Sequence, residues 1–180
     1  QIDYGDLQWQ DTGERLTAET FRSYREEGGV VIIHMMKPEW IEMGLQASHV
    51  MVASDGMPYA PGAHPRSAGT FSRFLGRYVR DEGTVSLMDG LRKVTLMPAQ
   101  RLETTSPQMK RKGRIQIGSD ADITIFDPAR IIDTATFEDD LSYSIGVEFV
   151  LVNGAFVVRE GENVEGARPG LPIVGRRVVF

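Results

Sequence analysis

The 180-residue chain contains no cysteine, and this absence removes several kinds of chemistry at once. Without thiols there are no disulfides, no thiolate metal ligands and no cysteine nucleophile within the chain. Histidine is scarce, with only His34, His49 and His64. The sequence also has no HxH, HExxH, GxSxG or Walker-type phosphate-binding motif. None of the standard metal or nucleophile motifs therefore identifies a site in this chain.

Long apolar runs and an excess of positive charge are also lacking. No run approaches the roughly 18–20 apolar residues that cross a bilayer, and no signal peptide opens the sequence. The net charge of -5 and the pI near 5.3 argue against a nucleic-acid partner, because phosphates require a basic face. We expect a soluble, cytoplasmic protein with neither a membrane nor a nucleic-acid partner.

The first part of the chain alternates between helical and strand patterns. Thr17 is a suitable N-cap for a helix that Gly28 would end. Pro38 suits the first turn of a second helix. The continuous apolar run at 30–36 predicts a strand buried on both faces, and residues 50–55 predict another. Helix, strand, helix, strand with short joins is typical of an α/β fold with a parallel sheet.

The remainder of the chain changes character near residue 107. Apolar residues between Phe71 and Val79 recur at helical spacing, and Ser86 is a suitable N-cap for the next helix. Short apolar runs separated by glycines then replace the helical periods. Asn153-Gly154 is a strong signal for a type I′ hairpin turn. These features predict a small antiparallel β unit, with strands at 114–117, 123–126, 148–152 and 155–158.

Asp55 is the first candidate functional residue. It follows a predicted buried strand directly, and chemistry in parallel α/β folds lies at the C-terminal ends of strands. A turn residue or helix cap is the other interpretation of this aspartate. His34 ends the preceding strand. If the two strands are parallel neighbours, His34 and Asp55 would lie at the same C-terminal edge of the sheet. A hydrogen-bonded strand-end histidine explains His34 equally well.

The segment after Asp55 supplies two more candidates. Residues 56–66 contain three prolines and two glycines, which predict a loop of constrained shape. Loops at catalytic strand ends collect substrate contacts, which makes His64 a candidate for substrate binding. The planar fork of Arg66 suits a carboxylate. The alternative for His64 is a local structural contact within the loop. The alternative for Arg66 is a salt bridge to a neighbouring acid.

These segments together resemble the N-acyl-D-amino-acid deacylases of the amidohydrolase superfamily. The combination of Ser54-Asp55-Gly56 with His64-Pro65-Arg66 is the most specific part of the likeness. Three further elements are shared widely in the superfamily, namely Pro98-Ala99-Gln100, the Gly118 to Asp122 stretch and Val152-Asn153-Gly154. The resemblance covers residues 15–172.

The resemblance implies the C-terminal part of a (β/α)8 amidohydrolase barrel followed by a small antiparallel β-sandwich portion. Residues 1–106 would supply the last strands and helices of the TIM-type barrel. Residues 30–36 would be strand seven of that barrel, and residues 50–55 would be strand eight. Residues 107–180 would form the β-sandwich portion.

The resemblance also implies an activity. The parent enzyme would hydrolyse the amide of an N-acyl-D-amino acid, a small-molecule substrate, using zinc. Asp55 matches the family's strand-eight aspartate, which touches the zinc and acts as general base. Arg66 matches an arginine near the substrate side chain, and in members that act on acidic D-amino acids it pairs with the side-chain carboxylate. His64, in the same loop, is expected to contact substrate.

The chain departs from the family pattern in what it lacks. The other family ligands, a His-x-His pair, a cysteine and further histidines, are absent. A barrel needs eight strands, and two are predicted here. We therefore expect zinc in the intact parent enzyme and none bound in the family manner by this chain alone. We also expect the chain to form a homo-oligomer or to pair with a missing N-terminal segment.

Two other readings of the function remain open from the sequence. The chain as given would be a catalytically silent fragment or an assembly subunit that lacks the metal site. Alternatively, the parent would be another amidohydrolase, such as a dihydroorotase-like enzyme that opens a cyclic amide. The His64-Pro65-Arg66 loop argues against that second reading, through the resemblance alone.

Overall fold

A computed structural model describes residues 3–56 and 64–175 of the chain. Four of the strands form one antiparallel sheet in the order β3-β4-β5-β6, and β1 pairs with β2 in a second, smaller sheet. The elements in chain order are a 3-10 turn (Tyr4–Asp6), β1 (Leu7–Trp9), α1 (Ala18–Glu27), β2 (Val31–Ile33), α2 (Pro38–Gln46), α3 (Arg66–Arg73), a π-helical segment (Phe74–Asp81), α4 (Leu87–Val94), α5 (Leu96–Leu102), a 3-10 turn (Pro107–Arg111), β3 (Ile123–Phe126), β4 (Val147–Val152), β5 (Ala155–Arg159) and β6 (Glu162–Asn163).

The predicted helix ends are confirmed. Each end depends on contacts between residues that are neighbours in the sequence. The side chain of Thr17 accepts a hydrogen bond from the Thr20 N–H at the start of α1, and Gly28 ends the helix with a φ of 76°. Pro38 begins α2. Ser86 caps α4 by accepting from the Asp89 N–H. The Asp89 carboxylate accepts from the Ser86 hydroxyl at 2.9 Å, which replaces the reciprocal bond of a full capping box.

The amphipathic pattern around Phe71 forms two kinds of helix in place of one. The chain is α-helical to Arg73 and π-helical from Phe74 to Asp81. Phe74 and Leu75 lie in a buried cluster with Ile131, which lies in the segment between β3 and β4. A Cβ atom at Gly76 would lie 2.2 Å from the carbonyl oxygen of Ile131, so only glycine permits this close approach. The π-helical segment thus packs tightly against the C-terminal half of the chain.

The strand predictions in the first half are wrong in extent and in direction. The run at 30–36 is a strand only over Val31–Ile33, and it pairs antiparallel with β1. Residues 50–55 form no strand. The N–H of Val52 donates to the carbonyl of Lys93 at 3.3 Å, and no described strand pairs with this segment. A strand is defined by its ladder, and the ladder needs a neighbour that the described residues do not supply.

The antiparallel β unit is confirmed, with one exception. Asn153 and Gly154 have φ values of 52° and 81°, as the type I′ turn requires. The predicted strand at 114–117 is wrong, since no pairing forms there. Ile115 and Ile117 are instead 87% and 105% exposed. A second buried cluster, near the start of the chain, consists of Leu7, Trp9 and Leu16. Within the described residues, no helix is both long and apolar enough to cross a bilayer.

Candidate active site

Asp55 and Arg66 form a pair at the two ends of the predicted constrained loop. Residues 57–63 of that loop lie outside the described residues. Oδ2 of Asp55 is 3.1 Å from Nη2 of Arg66, and the Asp55 side chain is 86% exposed. Nε of Arg66 also donates to the carbonyl oxygen of Asp55 at 2.9 Å. Arg66, the first residue of α3, therefore holds both the side chain and the main chain of Asp55.

The backbone of Asp55 adopts an unusual conformation at the same point. Its φ of 47° lies in the left-handed region, which aspartate tolerates better than most residues. Gly56 follows with its N–H donated to the Ser54 hydroxyl at 3.3 Å. The segment 50–55 thus ends in a sharp turn that presents the carboxylate of Asp55 at the surface. The salt bridge that the sequence offered as an alternative for Arg66 is present, and its partner is Asp55 itself.

His64 is tied to Arg66 through the backbone. Its Nδ1 accepts a hydrogen bond from the Arg66 N–H at 3.1 Å, so the neutral ring carries its proton on Nε2. Burial lowers the pKa of His64, and the Arg66 guanidinium and His34 act in the same direction, against the opposing Asp55 carboxylate. His64 is therefore neutral at pH 7.

His34 reaches the same region from the end of β2. Its Nε2 lies 2.7 Å from Oε1 of Gln8, which is the hydrogen-bonded strand-end histidine that the sequence allowed. Burial lowers the pKa of His34, and the nearby Arg15 adds to this effect. The structure does bring His34 toward the candidate site, because the rings of His34 and His64 both pack against Phe137, at 5.1 and 5.0 Å.

Phe137 joins the two histidines and was missed by the sequence analysis. Its ring centroid is 5.1 Å from that of His34 and 5.0 Å from that of His64. The ring is 38% exposed. Phe137 lies in a polar stretch between β3 and β4, where no helical or strand period marks it. Only its contacts with residues distant in sequence reveal it.

Lys93 is the second residue that the sequence analysis missed. It is 3% exposed, which is rare for a lysine. Its Nζ donates to the carbonyl oxygens of Ala47 at 2.6 Å and Val50 at 2.9 Å. Its own carbonyl accepts from Val52. Lys93 in α4 therefore fixes the segment that leads to Asp55, and no local sequence pattern gave a sign of this.

The described residues on their own do not fit a metal centre. No three histidine, cysteine, aspartate or glutamate side chains within residues 3–56 and 64–175 come close enough together to hold a metal ion. Asp55 is engaged by Arg66, and the rings of His34 and His64 each pack against Phe137. Zinc takes at least three protein ligands, so one carboxylate is not a site.

Comparison with known sequences places the chain in a family. A sequence profile described as the amidohydrolase family matches residues 17–158. A D-aminoacylase of Alcaligenes xylosoxydans xylosoxydans is 37% identical over 135 residues, which cover 75% of this chain and 27% of the relative. An N-acyl-D-aspartate deacylase of the same organism is 39% identical over 119 residues, 66% of this chain and 23% of the relative. The chain thus spans about a quarter of the length of these relatives.

Solved structures agree with the sequence comparison. A crystal structure of D-aminoacylase matches 93% of this chain and 36% of its own length, with a TM-score of 0.77 and 29% identity. The N-acyl-D-glutamate deacylase of Bordetella bronchiseptica, complexed with zinc and a phosphonate inhibitor, matches 90% of this chain and 37% of its own, with a TM-score of 0.70 and 28% identity. The chain belongs to the D-aminoacylase family of amidohydrolases.

Proposed function

We propose that this chain is the C-terminal part of a metal-dependent amidohydrolase that converts an N-acyl-D-amino acid into a carboxylate and a free D-amino acid. Family membership supports this activity, because the named relatives are a D-aminoacylase and deacylases of N-acyl-D-aspartate and N-acyl-D-glutamate. The observation that carries the assignment is the pair of Asp55 and Arg66, which places an exposed carboxylate beside a guanidinium.

The proposed organisation of the chain rests on the resemblance of its motifs to those of the family. Residues 1–106 are the last strands and helices of a TIM-type barrel, and residues 107–180 are the small β-sandwich portion. Residues 30–36 and 50–55 then correspond to barrel strands seven and eight, whose neighbours are contributed by other parts of the intact enzyme. This organisation accounts for the missing ladder at residues 50–55.

Asp55 is the proposed general base. An exposed carboxylate takes a proton from the attacking water as that water adds to the amide carbonyl. It then delivers the proton to the leaving nitrogen, which departs as the amine of the D-amino acid. The metal of the intact enzyme would supply activation of that water, and the ligands besides Asp55 would come from outside this chain. The zinc in the N-acyl-D-glutamate deacylase structure supports this part of the proposal.

Arg66 and His64 are the proposed substrate-binding residues. A guanidinium presents five N–H donors in a planar fork, which matches a carboxylate with two parallel hydrogen bonds. An acidic side chain, as in D-aspartate or D-glutamate, is the substrate group that this fork suits. The neutral ring of His64 offers its Nε2 proton beside it. The two relatives that act on acidic D-amino acids support this role.

The replacement of Asp55 tests the proposal in the intact protein that contains this chain. Asp55→Asn keeps the shape of the side chain and an oxygen for Arg66, so the fold should persist. We expect kcat for N-acetyl-D-amino acids to fall by about 10²–10⁴-fold, because a general base contributes about that factor. Asp11→Asn, at an exposed turn, is the matched control and should retain full activity. Full turnover by the Asp55→Asn variant would contradict the role.

A second candidate concerns the 180-residue chain by itself. No potential metal cluster exists among the described residues, which favours a catalytically silent chain when the rest of the enzyme is absent. No observation favours a cyclic amide as substrate, since the relatives act on N-acyl-D-amino acids.

A further inference from the structure

We propose that Phe137 is a specificity-determining residue of the candidate site, where its ring limits the size of the D-amino-acid side chain that lies beside Arg66. This inference rests on the proposed function. It concerns a residue of the C-terminal half of the chain, outside the three residues that the resemblance assigned.

A continuous series of contacts leads from Asp55 to Phe137. Asp55 pairs with Arg66 at 3.1 Å, and the Arg66 N–H donates to His64 Nδ1 at 3.1 Å. The His64 ring meets Phe137 nearly edge to face, with ring centroids 5.0 Å apart and an interplanar angle of 70°. His64 therefore links the backbone of Arg66 to the ring of Phe137.

The ring of Phe137 has a second imidazole as a packing partner. His34 packs against it with an interplanar angle of 58°. His34 is itself held by Gln8 at 2.7 Å. Contacts with two imidazoles stabilise one position of the ring, so it acts as a wall.

The backbone that carries Phe137 is also anchored. We call residues 133–144 the Phe137 loop. The Thr134 hydroxyl donates to the carbonyl of Tyr143 at 2.7 Å, which closes the base of the loop. The Thr136 N–H donates to the carbonyl of Asp139 at 3.0 Å, and the Asp139 N–H donates back to the Thr136 hydroxyl at 3.0 Å. A bridge between Ile132 and Ile145 lies just below.

The chemistry of the ring matches the role. With 38% of its surface exposed, Phe137 offers an apolar face to a ligand while the rest is covered. Arg66 provides the charge that recognises a carboxylate, whereas an adjacent apolar wall excludes groups that are too long or too wide. Differences of one methylene against such a wall change kcat/KM by about 10–200-fold.

The test compares Phe137→Ala and Phe137→Trp in the intact enzyme, using N-acetyl-D-aspartate and N-acetyl-D-glutamate, whose acidic side chains suit Arg66 and differ by one methylene. The measured quantity is the ratio of kcat/KM for the glutamate derivative to that for the aspartate derivative. We expect Phe137→Ala to raise this ratio about 10-fold or more and Phe137→Trp to lower it. Because it is a ratio within one preparation, it does not depend on how much of a variant is folded.

Phe156→Ala is the matched control. Phe156 lies on β5, is 40% exposed and has the ring of Phe149 as its aromatic partner. Its replacement should leave the ratio unchanged. An unchanged ratio in both Phe137 variants, or a shift in the same direction in both, would overturn the role of Phe137 while the proposed function stands. A wild-type enzyme that hydrolyses no N-acyl-D-amino acid would instead overturn the proposed function and this inference with it.

Discussion

Asp122 shows how much a single carboxylate stabilises in the C-terminal half of this protein. It forms an ion pair with the ammonium of Lys112, and its Oδ1 accepts from the Asn153 N–H at 2.7 Å. Burial by itself raises the pKa of Asp122, but the Lys112 ammonium and the Asn153 N–H outweigh it, so the pKa lies below its ordinary value. The same partnership raises the pKa of Lys112. Asp122 therefore connects the hairpin turn to the segment before β3.

This pKa shift predicts a pH-dependent stability. The ionised Asp122 stabilises the fold fully above its unfolded pKa of about 3.9, and this contribution is lost as the pH falls through the lower folded value. Asp122→Asn should reduce the free energy of unfolding by about 1–3 kcal/mol at pH 7, and less as the pH falls below about 4. Urea denaturation from pH 7 to pH 3 measures the difference.

The control for Asp122 is an exposed acid on the same half of the chain. Glu165→Gln should change the free energy of unfolding by less than about 0.5 kcal/mol. A difference between wild type and Asp122→Asn that stays constant over the whole pH range would contradict the linkage.

Single residues were predictable where their partners are close along the chain. The acid that pairs with Arg66 lies at the other end of one short loop. The sequence therefore predicted a salt bridge to a neighbouring acid, and the structure identifies that acid as Asp55. Phe137 and Lys93 were not foreseen, because they act through residues far away in sequence. The catalytic role of Asp55 itself remains a prediction, since the structure shows its place and its partner but not its chemistry.

At the scale of elements, α4 positions the segment that carries Asp55. The ammonium of Lys93 is the contact that joins them, since it binds the carbonyls at the end of α2 and at Val50. A buried carbonyl that loses its donor costs about 1–3 kcal/mol. The helix α4 thus positions the start of the segment that leads to Asp55, in addition to packing behind the site.

We expect Lys93→Met to separate this positioning role from simple packing. Methionine fills much of the same space but leaves both carbonyls without a donor, so the free energy of unfolding should fall by at least about 1–3 kcal/mol. In the intact enzyme, kcat should fall more than KM rises, because Asp55 loses its fixed position while Arg66 keeps its own. Urea denaturation and steady-state kinetics measure the two effects.

Lys110→Met provides the comparison for Lys93. Lys110 is exposed near the end of a 3-10 turn, and its loss should change stability by less than about 0.5 kcal/mol. Wild-type kcat in a folded Lys93→Met enzyme would show that the lysine only packs.

Helices were predictable from the sequence and several strands were not. Caps such as Thr17 and Ser86 accept hydrogen bonds from N–H groups three residues away. The local sequence is therefore enough to predict them. A strand exists only when another segment pairs with it. The runs at 50–55 and 114–117 have the composition of strands but no partner among the described residues. The pattern of apolar residues contains no signal for the change from α-helix to π-helix at Phe74.

At the scale of the whole molecule, several large apolar side chains face outward. Ile115 and Ile117 are 87% and 105% exposed, and Met43 and Met88 are 68% and 73% exposed. Contiguous exposed apolar surface usually marks an interface, and Ile115 and Ile117 lie two residues apart on one segment. They agree with the expectation that this chain associates with another copy or with further segments of the enzyme.

We therefore expect the purified 180-residue chain to self-associate and to carry far less than one zinc ion per chain. Light scattering after size exclusion should give a mass that rises with concentration above the 20.0 kDa of one chain. The double variant Ile115→Ser, Ile117→Ser should weaken association without loss of structure, because both side chains are already exposed. A monomer at every concentration, or one zinc per chain, would contradict this expectation.

The family of the whole molecule was predictable from a few motifs, and so was the absence of the other family metal ligands from this chain. The Ser54-Asp55-Gly56 and His64-Pro65-Arg66 motifs lie within the stretch that the family profile matches. Motifs report the residues that are present. They do not show how residues from elsewhere in an enzyme would complete a centre around Asp55.

The burial of Lys93 also gives the protein an internal chemical reporter. The chain has four lysines, and amine-reactive reagents need an accessible amine. The amine of Lys93 is enclosed and holds two carbonyl oxygens, so it reacts only when the segment from Ala47 to Val52 separates from α4. The time at which Lys93 acquires label, compared with Lys110 at the surface, therefore measures how often the support beneath Asp55 opens.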